Sequence, residues 1–562
     1  MADFRLTRRA IVSLSVSVTA ITAALLAITM IAPRFLPDVL VVDTVLPTFD
    51  FEYEHEPEPT IAVSPVDPQV IAMTAFSTGL GKCDTPDSPT TEWHAGVLMS
   101  FDGGDSWSMR CWLPLHPTPA GNYKPPGDVA LDFSGDGKAL LASYISPWGD
   151  RGRVVQLTDW ADGIETATPT PVVLGDDGVY ADQPFVVGAP PSAATTFAVG
   201  ARQDGGTGDY PCATGVVWWS TGTAAGQKCV ATRSGGTTDA VRVAIDKTGR
   251  AYAVFFERED GAPAGKASLV LTQGRIQGSG GAELDDLKEE ATDLPVACKV
   301  PDGNLGFRMR TCIDVPDDDK VCPMGGQRRA ANQIAIAIDP KDDSKVYVAY
   351  ADSTTGDFMT LHLVMATVSG SKVTDTEILL VHNALNPAVA ITAQGRIALL
   401  YQQLVANGSW RWQTIVQISN TTLDRWSPTL LSDTPSEEPG FDCATSNGSP
   451  YLGDYVDIAV AGDTFYGVFS ADNNPTFHAS PYPEAKYFRN TTLLGPAGPI
   501  PCSAGSCLVT VPYSIDPFFF RITPPPIHDP LALIKFVYHK IIHLFRKPPR
   551  FVGPPPQALR PS

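Results

Sequence analysis

The chain has 562 residues, 43% of them hydrophobic, with ten cysteines and a formal net charge of −20. That length and apolar content allow a large core. The acidic balance argues against a nucleic-acid partner, because grip on a phosphate backbone depends on clustered Lys and Arg, and no basic, aromatic-interleaved patch occurs in the main body of the chain.

The N-terminus carries Arg5, Arg8 and Arg9 ahead of an uncharged stretch, residues 10–32, that ends at Pro33-Arg34. A run of this length spans a bilayer and exceeds an ordinary signal-peptide core. With the arginines held in the cytoplasm, everything after residue 34 lies outside. Residues 1–34 therefore read as a cytoplasmic stub and transmembrane signal-anchor; a cleaved signal peptide is the alternative, and it exports the same chain. Residues 35–56 read as a linker. An even number of cysteines suits an exported, disulfide-bonded chain. Cys212 and Cys229 flank an apolar strand over 215–220, Cys83 and Cys111 bracket another, and Cys502 and Cys507 are close enough for a small loop. The connectivity of Cys298, Cys312, Cys322 and Cys443 stays open, and no Cys-x-x-Cys pair points to zinc.

From residue 57 onward a two-strand phrase recurs: an apolar strand, a tight polar turn, then an apolar or aromatic strand. Copies begin at Ile61, Val129, Phe185, Val241, Ile334, Ala388 and Val456. Most starts lie roughly 55 to 70 residues apart, the size of one four-stranded propeller blade with its loops. One such sheet cannot bury both apolar faces alone, so radial stacking is expected: an all-β propeller over 57–523, of about seven four-stranded blades, with six as the alternative. The longer interval before Ile334 reads as an insertion over 277–330. Residues 486–494 and 507–512 are candidates for the outer strands of the last blade. Residues 524–562 form a Pro-rich, basic tail in which Leu531, Ile534, Val537, Ile541 and Leu544 recur at helical spacing, fit either to lie on an anionic membrane or to dock on the propeller.

Ser100-Phe101-Asp102-Gly103-Gly104-Asp105-Ser106-Trp107 matches Ser-x-Asp-x-Gly-x-x-Trp at every defined position: an Asp accepts backbone N–H groups across a turn, Gly allows positive φ, and Trp packs between strands. This resembles the Asp box, or BNR repeat, of the sialidase-like propellers. The resemblance gives Ser100, Asp102, Gly104 and Trp107 a structural role between the third and fourth strands of a blade. A degenerate echo spans Ser419 to Trp426. The family's chemistry would be exo-sialidase hydrolysis, with arginines clamping the substrate carboxylate, an Asp as acid/base and a Tyr backed by Glu as nucleophile. The Arg-Ile-Pro phrase of the family does not occur before the first repeat, and its Phe-Ala-Glu-x-Arg phrase is matched only in part by Phe255-Phe256-Glu257-Arg258.

In a propeller the first strand of each blade lines the axis, so the residues just before those strands converge on one mouth. In order these are Glu58, Asp128, Asp182, Asp239, Asn332, Asn386 and Asp454. Such side chains either cap the turn entering each strand or form a ring for a cation, a sugar or a catalytic acid. Tyr451 and Tyr455 flank the ring, while Arg202, Arg258, Arg328 and Arg329 supply cations. The expected catalytic set is Tyr451, Tyr455, Asp182 and Glu257; Arg328, Arg329, Arg258, Arg202, Asp128, Asp239, Asn332, Asn386 and Asp454 would bind substrate. No metal ligand set or cofactor motif is found. A structural calcium is the one open possibility, because Asp132 to Gly137 imitates the start of a calcium loop but reads better as a hairpin turn. Two functions follow as expectations: a membrane-anchored, extracytoplasmic sialidase-like propeller that recognises glycans, or a non-catalytic scaffold for envelope proteins.

Overall fold

The computed structural model describes residues 37–44, 58–75, 94–114, 116–117, 123–124, 127–145, 152–158, 169–173, 180–191, 196–204, 215–221, 225–231, 237–258, 266–276, 307–314, 334–353, 359–370, 372–407, 409–435, 452–472, 494–495, 498–499 and 515–524. Among them are seven four-stranded sheets. Their first strands are Thr60–Val63, Gly127–Phe133, Tyr180–Gly188, Thr237–Ile245, Ile334–Ile338, Ala384–Ile391 and Asp457–Ala461. Each first strand touches the first strand of the next sheet, and that of the seventh touches that of the first. The sheets are therefore blades 1 to 7 of a closed β-propeller.

The sequence explains the wedge shape. First strands are built from Ala, Val and Ile, which fit where the blades crowd together, whereas the second strands carry the larger side chains Tyr144, Tyr252, Tyr350, Tyr401 and Phe469, all fully buried where the gap widens. Apolar clusters fill the seams: Ala62, Val97 and Met99 of blade 1 meet Leu131, Leu140 and Tyr144 of blade 2, and Phe256 and Leu269 of blade 4 meet Val346 and Val348 of blade 5.

Blade 7 closes the ring with both ends of the chain. Its order from the axis outward is Asp457–Ala461, Thr464–Asp472, Ile515–Thr523 and Asp38–Asp43. The outer strands expected at 486–494 and 507–512 are thus corrected, and the stretch read as a linker contributes the outermost strand. The interval 277–330 is likewise more than an insertion, because it supplies the fourth strand of blade 4, Phe307–Asp314.

The turn from Ser100 to Trp107 joins the third and fourth strands of blade 1, His94–Ser100 and Ser108–Pro114. Asp102 accepts hydrogen bonds from Ser106 N at 2.8 Å and Ser106 Oγ at 2.6 Å, and Ser100 Oγ accepts one from Gly104 N at 2.8 Å. Trp107 packs edge-on against Phe519 of blade 7, with ring centroids 5.0 Å apart, and Arg521 Nη1 donates to Gly103 O at 2.6 Å. The turn therefore fastens blade 1 to the closing blade. The echo from Ser419 to Trp426 also joins the third and fourth strands of its blade, with Asn420 accepting from Arg425 N.

Of the cysteines paired from sequence, Cys229 has a described side chain and is disulfide-bonded; Cys212 lies outside the described residues. The span 10–32 and the tail after 524 also lie outside them, and no helix among the described residues is long and apolar enough to cross a membrane.

Candidate functional site at the propeller axis

Each first strand must turn in from the periphery, and in blades 1, 2, 3, 4 and 6 the chain does so through a left-handed non-glycine residue. Glu58, Asp128, Gln183, Ala240 and Asn386 have φ of 60°, 43°, 49°, 47° and 53°. In blades 2, 3, 4 and 6 this residue sits in a β-bulge, where pairing with the second strand slips. Asp and Asn tolerate this conformation, whereas the Val or Pro that follows each entry residue does not. The entry residues of blades 3 and 4 are accordingly Gln183 and Ala240, one position beyond the expected Asp182 and Asp239, whose side chains lie outside the described set.

The entry side chains bind the backbone of other blades' entry segments. Asp128 Oδ2 of blade 2 accepts Gln183 N at 3.2 Å, Glu58 Oε1 accepts Asp454 N at 3.3 Å, and Asn386 Nδ2 donates to Gly453 O at 3.1 Å and to Gln402 Oε1 at 2.7 Å. Farther along the axis, Asp457 accepts Ile458 N at 2.8 Å and Ile61 N of blade 1 at 3.0 Å; Asp132 accepts Phe133 N and Gly188 N of blade 3, both at 2.8 Å. An Asp on one first strand thus ties that strand to the next blade, in two places around the ring. Asp132, read from sequence as the start of a hairpin turn, belongs to this device; the turn itself is held by Ser134 and Asp136.

Two contacts cross the axis between blades 3 and 7, which are not neighbours in the ring. Gln183 Nε2 donates to Asp454 Oδ2 at 3.0 Å, and the Phe185 ring meets Tyr455 edge-on with centroids 5.3 Å apart. The Arg242 guanidinium of blade 4 lies over the other side of this pair, 3.9 Å from the Phe185 centroid. The channel beyond this brace has a volume of about 470 Å³ and is walled by first strands of every blade. Gln183→Ala removes a hydrogen bond to a carboxylate and is expected to lower stability by about 1.5–3 kcal/mol; an unchanged urea midpoint would show that the crossing contact bears no load.

Burial governs the electrostatics. It pushes Asp132 up to about 7 and Asp457 up to about 6, against the opposing pull of the backbone N–H groups each accepts. It raises the Tyr455 phenol well above its ordinary value, with Glu58 and Asp128 adding to the effect and Arg242 opposing it. It pulls Arg242 down to about 10, although Tyr455, Asp457, Asp128 and Asp454 favour its charge. The arrangement keeps Tyr455 as a phenol, not a phenolate.

Of the expected site residues, Asp128, Asn386, Asp454 and Tyr455 come together at the mouth. Glu257 is buried on the second strand of blade 4 and is not among the residues lining the channel. Arg202 and Arg258 end second strands, but their side chains lie outside the described set; Tyr451, Arg328, Arg329 and Asn332 lie outside it entirely. Sequence reading missed Gln183, Arg242, Asp132 and Asp457. Among the described residues no group of His, Cys, Asp and Glu is placed to hold a metal ion.

No family model matches the chain, and no curated protein matches it. Among solved structures it is similar to a puromycin hydrolase (12% identity, TM-score 0.40, covering 76% of this chain and 52% of that one). It is also similar to the WD40 domain of SCAP from fission yeast (8% identity, TM-score 0.33, 70% and 86%) and to the Dos1 propeller (8% identity, TM-score 0.37, 76% and 92%). The chain spans about half the length of the puromycin hydrolase it matches.

Proposed function

We propose that this protein is a non-catalytic propeller that scaffolds other proteins on the extracytoplasmic side of a membrane, tethered by residues 10–32. The observation that carries this reading is the brace across the axis. Entry residues that a glycosidase would present to substrate are spent on holding blades together, as in the bonds from Gln183 to Asp454 and from Asp454 to Glu58. Sialidase chemistry calls for several guanidinium groups and an activated tyrosine. The described channel lining supplies Arg242 alone, and Tyr455 is buried, packed edge-on against Phe185 and held protonated.

A scaffold works through its blade ends. Val66, 63% exposed, and Phe101, 44% exposed, lie on turns at one end of blade 1, and Gly103 N bonds to Gln69 O between those turns. The purified full chain is expected to hydrolyse neither a fluorogenic sialoside panel nor other exo-glycosides. Turnover abolished by Tyr455→Phe would overturn the scaffold reading in favour of the enzyme. A photo-crosslinking residue at Phe101, introduced in intact cells, should give a discrete adduct that the same residue at exposed His382, at the opposite end of the propeller, does not; equal, diffuse labelling at both positions counts against a partner surface there.

A further inference from the structure

Arg242 is 5% exposed and lines the axial channel. Its only hydrogen bond among the described residues runs from Nη1 to Val241 O at 3.5 Å, and no described carboxylate lies within ion-pair distance of it. The guanidinium carbon lies over the Phe185 ring, 3.9 Å from its centroid. A cation–π contact of this kind uses the charge but leaves most of the five N–H donors for other partners. A buried charge without a close counter-ion costs several kcal/mol, and nothing in the bracing of the ring requires it: the ties between blades 2, 3, 7 and 1 run through Asp128, Gln183, Asp454 and Glu58.

We propose that the axial channel is a binding site for a small organic monocarboxylate, with the carboxylate on the edge of Arg242 and the apolar remainder against the channel wall. The planar fork of a guanidinium matches a carboxylate with two parallel hydrogen bonds. Val63, Leu131, Val187, Val243, Ile336 and Val389 supply apolar wall, and the volume of about 470 Å³ suits a small molecule, not a polymer. The surrounding charge selects the class of anion. Asp128, Asp454 and Asp457 all act electrostatically on Arg242, so every anion meets their repulsion, and a dianion such as phosphate meets twice that felt by a monoanion at the same single cation. Such a site is independent of any scaffold role at the blade ends, and either can fail without the other.

The test is isothermal titration of the purified full chain with benzoate, with benzamide as its neutral isostere and inorganic phosphate as the dianion. Benzoate is expected to bind measurably below about 1 mM, a free energy of about −4 kcal/mol, and both comparators to bind at least about tenfold more weakly. Arg242→Met keeps the bulk and removes the donors; losing charge-assisted hydrogen bonds should weaken benzoate by about 10- to 100-fold. Arg242→Lys keeps the charge without the fork and should fall between. Should Arg242→Met give no cooperative melt, Arg242→Lys decides, because equal affinity in a folded Lys variant contradicts recognition by the fork. The proposal is overturned by the absence of benzoate binding, by phosphate binding as tightly as benzoate, or by unchanged affinity in a folded Arg242→Met protein.

Discussion

A chain lacking residues 1–43 is expected to lose on the order of 5 kcal/mol of stability and to aggregate, because the strand Asp38–Asp43 completes blade 7. Val39, Leu40, Val41 and Val42 are all buried, and each such side chain contributes about 1.5–3 kcal/mol on transfer from water, an upper bound that partial order in the unfolded chain reduces. Their loss also leaves the edge of Ile515–Thr523 unpaired, with the apolar run Phe518, Phe519 and Phe520 beside it, and an open apolar edge invites pairing between molecules. A chain cut at Val41 would keep only part of the strand and should behave almost as badly. The same closure is probed by one atom at Gly104. This residue has φ of 94°, and a Cβ there would lie 2.1 Å from Phe519 Cε1. Gly104→Ala must therefore bear backbone strain and push Phe519 out of its contact with Trp107, for an expected loss of about 3 kcal/mol or more. Urea unfolding followed by tryptophan fluorescence measures both. Midpoints equal to that of the intact chain would mean that the ring does not depend on this latch.

The first and second strands of every blade are legible in the sequence because each combines β-branched alternation with a polar turn, a pattern local to about sixteen residues. The closing strand is not, because its partners are remote: Thr44 Oγ1 bonds to Pro517 O across 473 positions. The outer strand Phe307–Asp314 is obscured for a similar reason, since some thirty residues separate it from the third strand it pairs with. At the axis, residue type misleads. Asp182 and Asp239 look like the turn residues, yet the bulge assigns the left-handed conformation by position, and it falls on Gln183 and Ala240. Arg242 and Asp457 are single charges within apolar strands and carry no motif, and Asp132 reads as the start of a hairpin turn. Only closure of the ring turns that face inward, which is information that no window of one blade contains.

Mild acid is expected to stabilise the protein. Asp132 and Asp457 have folded-state values of about 7 and about 6, both above the 3.8 of an unperturbed carboxyl. Between about pH 4 and 7 the folded chain thus binds more protons than the unfolded chain, so stability falls as pH rises through that window and levels off above it. His362 acts in the same direction. Its Nδ1 lies 2.7 Å from Glu377 Oε2 and its Nε2 3.5 Å from Asp352 Oδ1, and these carboxylates outweigh burial and raise its pKa. The ion-pair contribution is full below the ordinary histidine value and is lost as pH rises through the raised one. At one pKa unit per 1.36 kcal/mol, and with these channel-lining carboxyls only partly shielded from water, the chain should be on the order of 2–4 kcal/mol more stable at pH 5 than at pH 8. The lowered values of Asp136, Asp342 and Asp424 belong to groups at least partly open to solvent and act below this window. Asp132→Asn gives up one of two N–H acceptors, so it should cost stability at pH 5 yet flatten the dependence above it, while His362→Gln should remove the histidine share alone. A melting temperature that rises steadily from pH 5 to pH 8 would mean that these two channel-lining acids remain ionised in the folded ring, with the ties to Ile61 and Gly188 made by full carboxylates.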